Sequence, residues 1–320
     1  MSTPIDALIS RLMSGDMRAL ARCISIVEDR LPAAGEIVRA VYPKAGRAPI
    51  IGVTGPPGAG KSTLVDGLAA QARAAGRTVG IIAVDPSSAF SGGAVLGDRI
   101  RMQRHSTDPG VFIRSMATRG HFGGLASASV DAADLMDAAG LDTILIETVG
   151  VGQDEVDVVR VADVVLVVLV PGLGDDIQTI KAGIMEIPDI FVLNKADREG
   201  IDRLQTDVTG MLALVDATTR PVPRIVRTVA TSGEGLEELH GAVDQCLRQA
   251  SGGLLAERRR ERSRERLLGL MRQRVLEWAG SPASQSAFET MVDELASRRI
   301  DPHTAADTLL KHFSPTRRAS

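Results

Sequence analysis

Gly55, Pro56, Pro57, Gly58, Ala59, Gly60, Lys61, Ser62 and Thr63 make up the stretch GPPGAGKST, which carries the full G-x-x-x-x-G-K-[ST] pattern. Residue type and spacing together describe a phosphate cradle. The glycines let the backbone turn tightly enough for several N–H groups to face one anion, and the following helix adds the positive end of its dipole. Lys61 is expected to reach the β- and γ-phosphates, and the Ser62 hydroxyl to ligate Mg²⁺. Strand-like Ile50–Val53 lies before the loop and helix-like Leu64–Ala74 after it, which is the context the motif requires.

A second constellation, Asn194-Lys195-Ala196-Asp197, follows the strand-like run Asp189–Leu193. An aspartate so placed accepts hydrogen bonds from guanine N1–H and the exocyclic amine, a pairing that adenine lacks. The Asn would hold the loop and the Lys stem would cover the base. A site built for those donors leaves a buried carboxylate unpaired with ATP, which favours GTP and GDP as the ligands. Thr231-Ser232-Gly233, after a last strand over Ile225–Ala230, could contact the base through its backbone.

Carboxylates then recur at strand ends. Asp85 closes the run Thr78–Val84 and is a candidate for the Mg²⁺ shell, or else a turn cap. Asp98 ends the glycine-bearing stretch Phe90–Asp98, which reads as a mobile loop able to present a polar group to a γ-phosphate. Glu147 ends the β-branched run Asp142–Glu147 and precedes Thr148-Val149-Gly150, where a metal-site carboxylate and a γ-phosphate-sensing glycine belong. Glutamate stands where aspartate is usual, and can reach the metal through water or orient the attacking water. Lys61, Asp98 and Glu147 are thus the catalytic candidates, and Ser62, Asp85, Asp98 and Glu147 the metal candidates. Gln153 and Glu155 either belong to a plain solvated loop or lie close enough to act once a partner orders it. In Pro171–Lys181, residues Asp175, Gln178 and Lys181 are spaced three apart, so a helix would present them on one face. Ser115–Gly124, with Arg119 and His121, reads as a further loop near the site, its side chains meeting phosphate, a partner or solvent.

The elements that must position these groups alternate strand and helix through the middle of 320 residues. Aromatics are only 2 %, so the core has to come from Val, Ile, Leu and Ala, which suits a parallel sheet covered on both faces. The fold expected is therefore α/β, a P-loop domain with a mostly parallel, doubly wound sheet over residues 48–250, preceded by helices in 1–47 and followed by a helical arm in 251–320. The helix-spaced stripe Leu267, Met271, Val275 and Trp278 on that arm must dock on the same chain or on a second copy, and the charged stem before it favours a homodimer. A net charge of −3 argues against general nucleic-acid affinity. The apolar run Val161–Pro171, broken by Asp163, is far short of the ~20 residues a membrane span needs. With no signal-peptide pattern at the N-terminus and Cys23 and Cys246 in no C-x-x-C arrangement, a reducing cytoplasm is expected.

The set resembles one family, the GTPases that accompany adenosylcobalamin-dependent acyl-CoA mutases, the MeaB/ArgK group related to the human methylmalonic aciduria type A protein. GDMRALARCISIVE, GPPGAGKST, AVDPSS, LGDRIRM, ETVGVGQDE, PGLGDDIQTIKAGIMEI, NKAD and DPHTAADTLL carry the resemblance. It implies a nucleotide domain with a dimerisation arm, metal and switch roles for Asp85, Asp98 and Glu147, and a mutase-facing switch at Asp175, Gln178 and Lys181. It further implies a chaperone that gates delivery of adenosylcobalamin to the mutase and protects it. The alternatives are nickel insertion by a GTPase of the same superfamily and a transport-linked kinase or ATPase. Val151 stands where small GTPases carry the water-positioning glutamine, so hydrolysis by the protein alone should be slow. In single-turnover assays a cognate mutase should raise the rate, up to the ~10³–10⁵ range of partner-assisted GTPases; no acceleration by any cobalamin mutase would point to a different partner.

Overall fold

Seven strands, the inner five buried and rich in Val, Ile and Leu, align in one direction because every connection between them is long enough to cross back over the sheet. The computed structural model describes residues 3–85, 105, 107–117, 124–148, 161–172, 188–213, 221–250, 253–311 and 313. In chain order the strands are β1 (Ile50–Thr54), β2 (Val79–Asp85), β3 (Val111–Ala117), β4 (Thr143–Glu147), β5 (Val164–Leu169), β6 (Ile190–Asn194) and β7 (Arg224–Thr228). They form one parallel sheet in the order β3-β2-β4-β1-β5-β6-β7. The order reverses at β1, which lies between β4 and β5. In such sheets the crevice at the carboxyl end of the reversing strand takes the ligand.

Side chains alternate strictly between two layers. Ile51, Val53, Leu145, Leu166, Val168 and Val192 face the helices Lys61–Ala74 and Leu236–Ala250. Ile50, Ile144, Ile146, Val167, Leu169 and Phe191 face the opposite layer, made by Gly124–Ala138, Ile201–Leu212 and the three N-terminal helices. Those three are Pro4–Met13, Met17–Glu28 and Ala34–Val41, of which the first two start at side-chain caps. The Thr3 hydroxyl accepts from the Asp6 N–H while the Asp6 carboxylate accepts from the Thr3 N–H, a reciprocal capping box. Asp16 accepts from the Arg18 and Ala19 N–H groups and begins the second helix.

Two departures from the sequence reading stand out. Ser115, Met116 and Ala117 belong to edge strand β3, paired with Ala83, Val84 and Asp85, rather than to a loop. A polar pair in mid-strand hid it, because Arg114 is satisfied by Glu28 and by Ser25 of the second helix. The helix Ile201–Leu212 also went unassigned, although Ile201, Leu204, Val208 and Leu212 form its buried stripe.

At the amino edge of the sheet, carboxylates fasten the strand starts. Asp163 is 1 % exposed, accepts from the Ile50 N–H at 3.0 Å and pairs with Arg259 at 3.5 Å. Asp189 accepts from the Val165 N–H at 2.9 Å and holds Arg258 at 2.7 Å. Residues 1–260 form one compact unit and 261–320 another, with the helix Leu254–Ala279 running through the division. In the second unit, Pro282–Ala296 and Pro302–Lys311 follow, the last capped by Asp301, whose carboxylate is lowered below its usual range by hydrogen bonds from Thr304 and the helix's first N–H groups. Trp278 meets Phe313 edge to face at 5.5 Å. Among the described residues no helix is long and apolar enough to cross a membrane. Asp163→Ala should leave Arg259 without its buried partner and the Ile50 N–H without its acceptor, lowering stability by about 3 kcal/mol, read as a lower midpoint in urea with an unchanged slope.

Candidate functional site: a phosphate loop joined to a base loop

The loop between β1 and the helix Lys61–Ala74 takes its shape from contacts that exclude side chains at two points. Gly55 has φ +139° and a Cβ there would lie 2.2 Å from the Val168 carbonyl oxygen, so the loop can leave β1 only by pressing against β5. Gly60 caps the helix in the left-handed region at φ +89°, and its Cβ would lie 2.5 Å from Asn194 Nδ2. The loop is thereby seated against β5 and β6 before any ligand arrives. Its helix opens at the carboxyl edge of the sheet, where free N–H groups and the dipole favour an anion.

Lys61 is buried, and its ammonium donates to the carbonyls of Gly55 at 2.7 Å and Pro56 at 3.0 Å. The cation thus sits across the loop it belongs to. Ser62, next along the helix, donates its hydroxyl to Glu147 Oε1 at 2.6 Å, joining residues 85 apart in the chain. The two oxygens, a hydroxyl and a carboxylate at a helix start, fit the hard-donor set that Mg²⁺ takes with phosphates and water. Among the described residues no group of three or more His, Cys, Asp or Glu side chains stands ready to hold a metal by itself. Asp85 ends β2, two residues beyond the Ala83–Glu147 pair, so its backbone lies at the same edge.

The base loop is tied to the phosphate loop by two consecutive residues. Asn194, 2 % exposed, donates from Nδ2 to the Ala59 carbonyl at 2.8 Å. Its Oδ1 accepts from the Thr228 hydroxyl and the Ala230 N–H, each at 3.1 Å. Lys195 adopts φ +58° and donates to the Gly58 carbonyl at 2.8 Å. Asp197 is exposed beyond them, in a turn that the Arg198 N–H closes onto the Lys195 carbonyl. Thr231, Ser232 and Gly233 form the exposed turn after β7, with the Ser232 and Gly233 N–H groups both bound to the Val229 carbonyl. Those two N–H groups are committed to the turn itself.

The structure brings together Gly55 to Thr63, Glu147, Asn194, Lys195 and the turn 231–233 around one edge. Asp98, Gln153, Asp175, Gln178 and Lys181, with Arg119, His121, Val151 and Glu155, lie outside the described residues. Sequence reading overlooked three threonines at strand ends: Thr228, which holds Asn194, and Thr54 and Thr148, whose hydroxyls meet at 3.0 Å in full burial. Thr54 and Thr228 are the last residues of β1 and β7, and Thr148 directly follows β4.

Comparison with known proteins agrees with this geometry. The family model described as methylmalonyl Co-A mutase-associated GTPase MeaB matches residues 20–283. A Pyrococcus horikoshii protein whose name proposes a GTPase is 51 % identical over 316 residues, covering 96 % of this chain and 98 % of its own. The mitochondrial methylmalonic aciduria type A homolog of Mus musculus is 33 % identical over 330 residues, covering 97 % of this chain and 79 % of its own. Among solved structures, that of a LAO/AO transport system kinase is similar with a TM-score of 0.70 and 26 % identity, over 96 % of this chain and 97 % of that one. The chain therefore has the fold of a P-loop GTPase and belongs to the MeaB family of methylmalonyl-CoA mutase-associated GTPases.

Proposed function

We propose that this protein is a Mg²⁺-dependent GTPase that serves as a homodimeric, cytoplasmic chaperone of an adenosylcobalamin-dependent acyl-CoA mutase, gating cofactor delivery and protecting the mutase. The observation that carries the nucleotide reading is the fastening of the Asn194-Lys195 corner onto the Ala59 and Gly58 carbonyls. These bonds join the two loops, and Asp197 on the second supplies the acceptor that favours a guanine nucleotide. The mutase partner rests on family membership and on the name of the mouse relative.

In the reaction each group has a defined task. The loop N–H groups and the helix start bind the phosphates. Lys61 exchanges its carbonyl partners for the β- and γ-phosphate oxygens. Ser62 and Glu147 would hold Mg²⁺, which supplies neutralisation of charge on the phosphate oxygens when bound. Asp197 accepts from the base, and Asn194 keeps that loop from drifting. Free Cys23 and Cys246 suit a reducing compartment.

Two outcomes test this reading. Asp197→Asn should weaken GTP and GDP by at least about tenfold while favouring xanthine nucleotides, whose 2-oxo group complements the introduced amide; retention of guanine preference in a nucleotide competition assay would contradict the assignment. For the dimer, support comes from Leu267, Met271 and Leu276, which are 60 %, 56 % and 69 % exposed in the single chain. Full-length protein should sediment at twice 33.8 kDa, and Leu267→Glu with Met271→Glu should give monomers that still bind GTP. A wild-type monomer would remove the dimer from the account.

A further inference from the structure

Glu147 and Thr148 are neighbours at the end of β4, and strand alternation sends them to opposite faces of the sheet. Glu147 shares the face of Leu145, packed under the helix Lys61–Ala74, and meets Ser62 there. Thr148 follows the register of Ile144 and Ile146, on the other layer. There its hydroxyl donates to Thr54 Oγ1 at 3.0 Å, with both residues at 0 % exposure. Val53 and Glu147 are the last registered pair of the β1–β4 ladder, and the Thr148 N–H still donates to the Val53 carbonyl at 3.1 Å. The hydroxyl bridge therefore extends the pairing one residue past the ladder. At that point β1 is about to become the phosphate loop at Gly55, and β4 has just delivered Glu147.

A hydroxyl pair buried in an aliphatic layer is held at a desolvation cost that two valines would avoid. What the hydroxyls add over valine is a directional bond between two strand ends that would otherwise be free to splay. We propose that Thr54 and Thr148 are positioning residues of the metal site: their bridge holds the end of β4 against β1, and so keeps the Glu147 carboxylate at the distance from Ser62 that one Mg²⁺ requires. The inference rests on the reading of Ser62 and Glu147 as the Mg²⁺ pair. Neither threonine touches the nucleotide or the ion; each acts through the strand end it fixes.

The test is a Mg²⁺ titration of GTP binding and of single-turnover hydrolysis in full-length protein. Thr148→Val should raise the half-saturating Mg²⁺ concentration about tenfold, the loss typical when a group that orients a metal ligand is removed. GDP affinity measured in EDTA should not change, which separates a displaced metal ligand from a damaged nucleotide site. Thr148→Ser, which keeps the hydroxyl, should restore the wild-type titration. Thr54→Val combined with Thr148→Val leaves no orphaned hydroxyl, so it should fold well, and it should lose no more than Thr148→Val alone because the two groups act as one bond. Wild-type Mg²⁺ dependence in Thr148→Val, or a double variant whose loss is the product of the single losses, would overturn the proposal. Ser62→Ala distinguishes the two levels of failure. If it weakens the Mg²⁺ response while Thr148→Val behaves as wild type, only the positioning role fails; if it leaves the Mg²⁺ titration as in the wild type, the metal assignment fails and the inference with it.

Discussion

One buried carboxamide ties the nucleotide site together. Asn194 binds the Ala59 carbonyl on one side and Thr228 and Ala230 on the other, so the phosphate loop and the ends of β6 and β7 share a single side chain. A carboxamide so buried cannot leave any of these groups without a desolvation cost of about 1–3 kcal/mol. Gly60 must stay glycine because that same Nδ2 occupies the space of a side chain. The distance between a bound phosphate and a bound base is consequently set by the protein before the ligand arrives, which is how a site limits reorganisation on binding.

The two edges of the sheet divide stability from chemistry. Along the amino edge, acidic residues are spent on structure: Asp163 and Asp189 cap strand backbones and hold Arg259 and Arg258, and Asp142 accepts from Thr78, which lowers its carboxyl below the usual range. At the carboxyl edge, polar groups bind partners that a ligand can replace. Lys61 holds two loop carbonyls and Ser62 holds Glu147, the bonds that the proposed binding of phosphate and metal would exchange. The aliphatic strands between keep the two edges apart, a consequence of a parallel sheet buried on both faces.

Much of this was legible in the sequence because the functional loops depend on backbone geometry that few residues tolerate. The glycines of GPPGAGKST and the Asn-Lys pair of NKAD marked the two loops that the structure joins, and β-branched runs marked the strands that carry them. What the sequence could not disclose were partnerships across long separations with no compositional mark. The Asp163–Arg259 contact spans 96 residues, and the Thr54–Thr148 bridge spans 94; each member alone reads as an ordinary polar residue. Strand β3 was missed for a related reason, since Arg114 looks exposed in sequence and is answered only by Glu28 on a distant helix. The helix Ile201–Leu212 carried a readable stripe, but it follows directly on NKAD, where the pattern of the base loop dominates the local reading.

Selectivity between bases measures the central claim most directly, because the bonds joining Asn194 and Lys195 to the phosphate loop matter for function only if they hold Asp197 where a guanine edge must meet it. Calorimetric titration of the nucleotide-free protein with GDP and with ADP, in the presence of Mg²⁺, compares the two without hydrolysis. The account predicts that GDP binds at least about a hundredfold more tightly than ADP, as a site with a carboxylate directed at base donors requires. Equal affinities would contradict it.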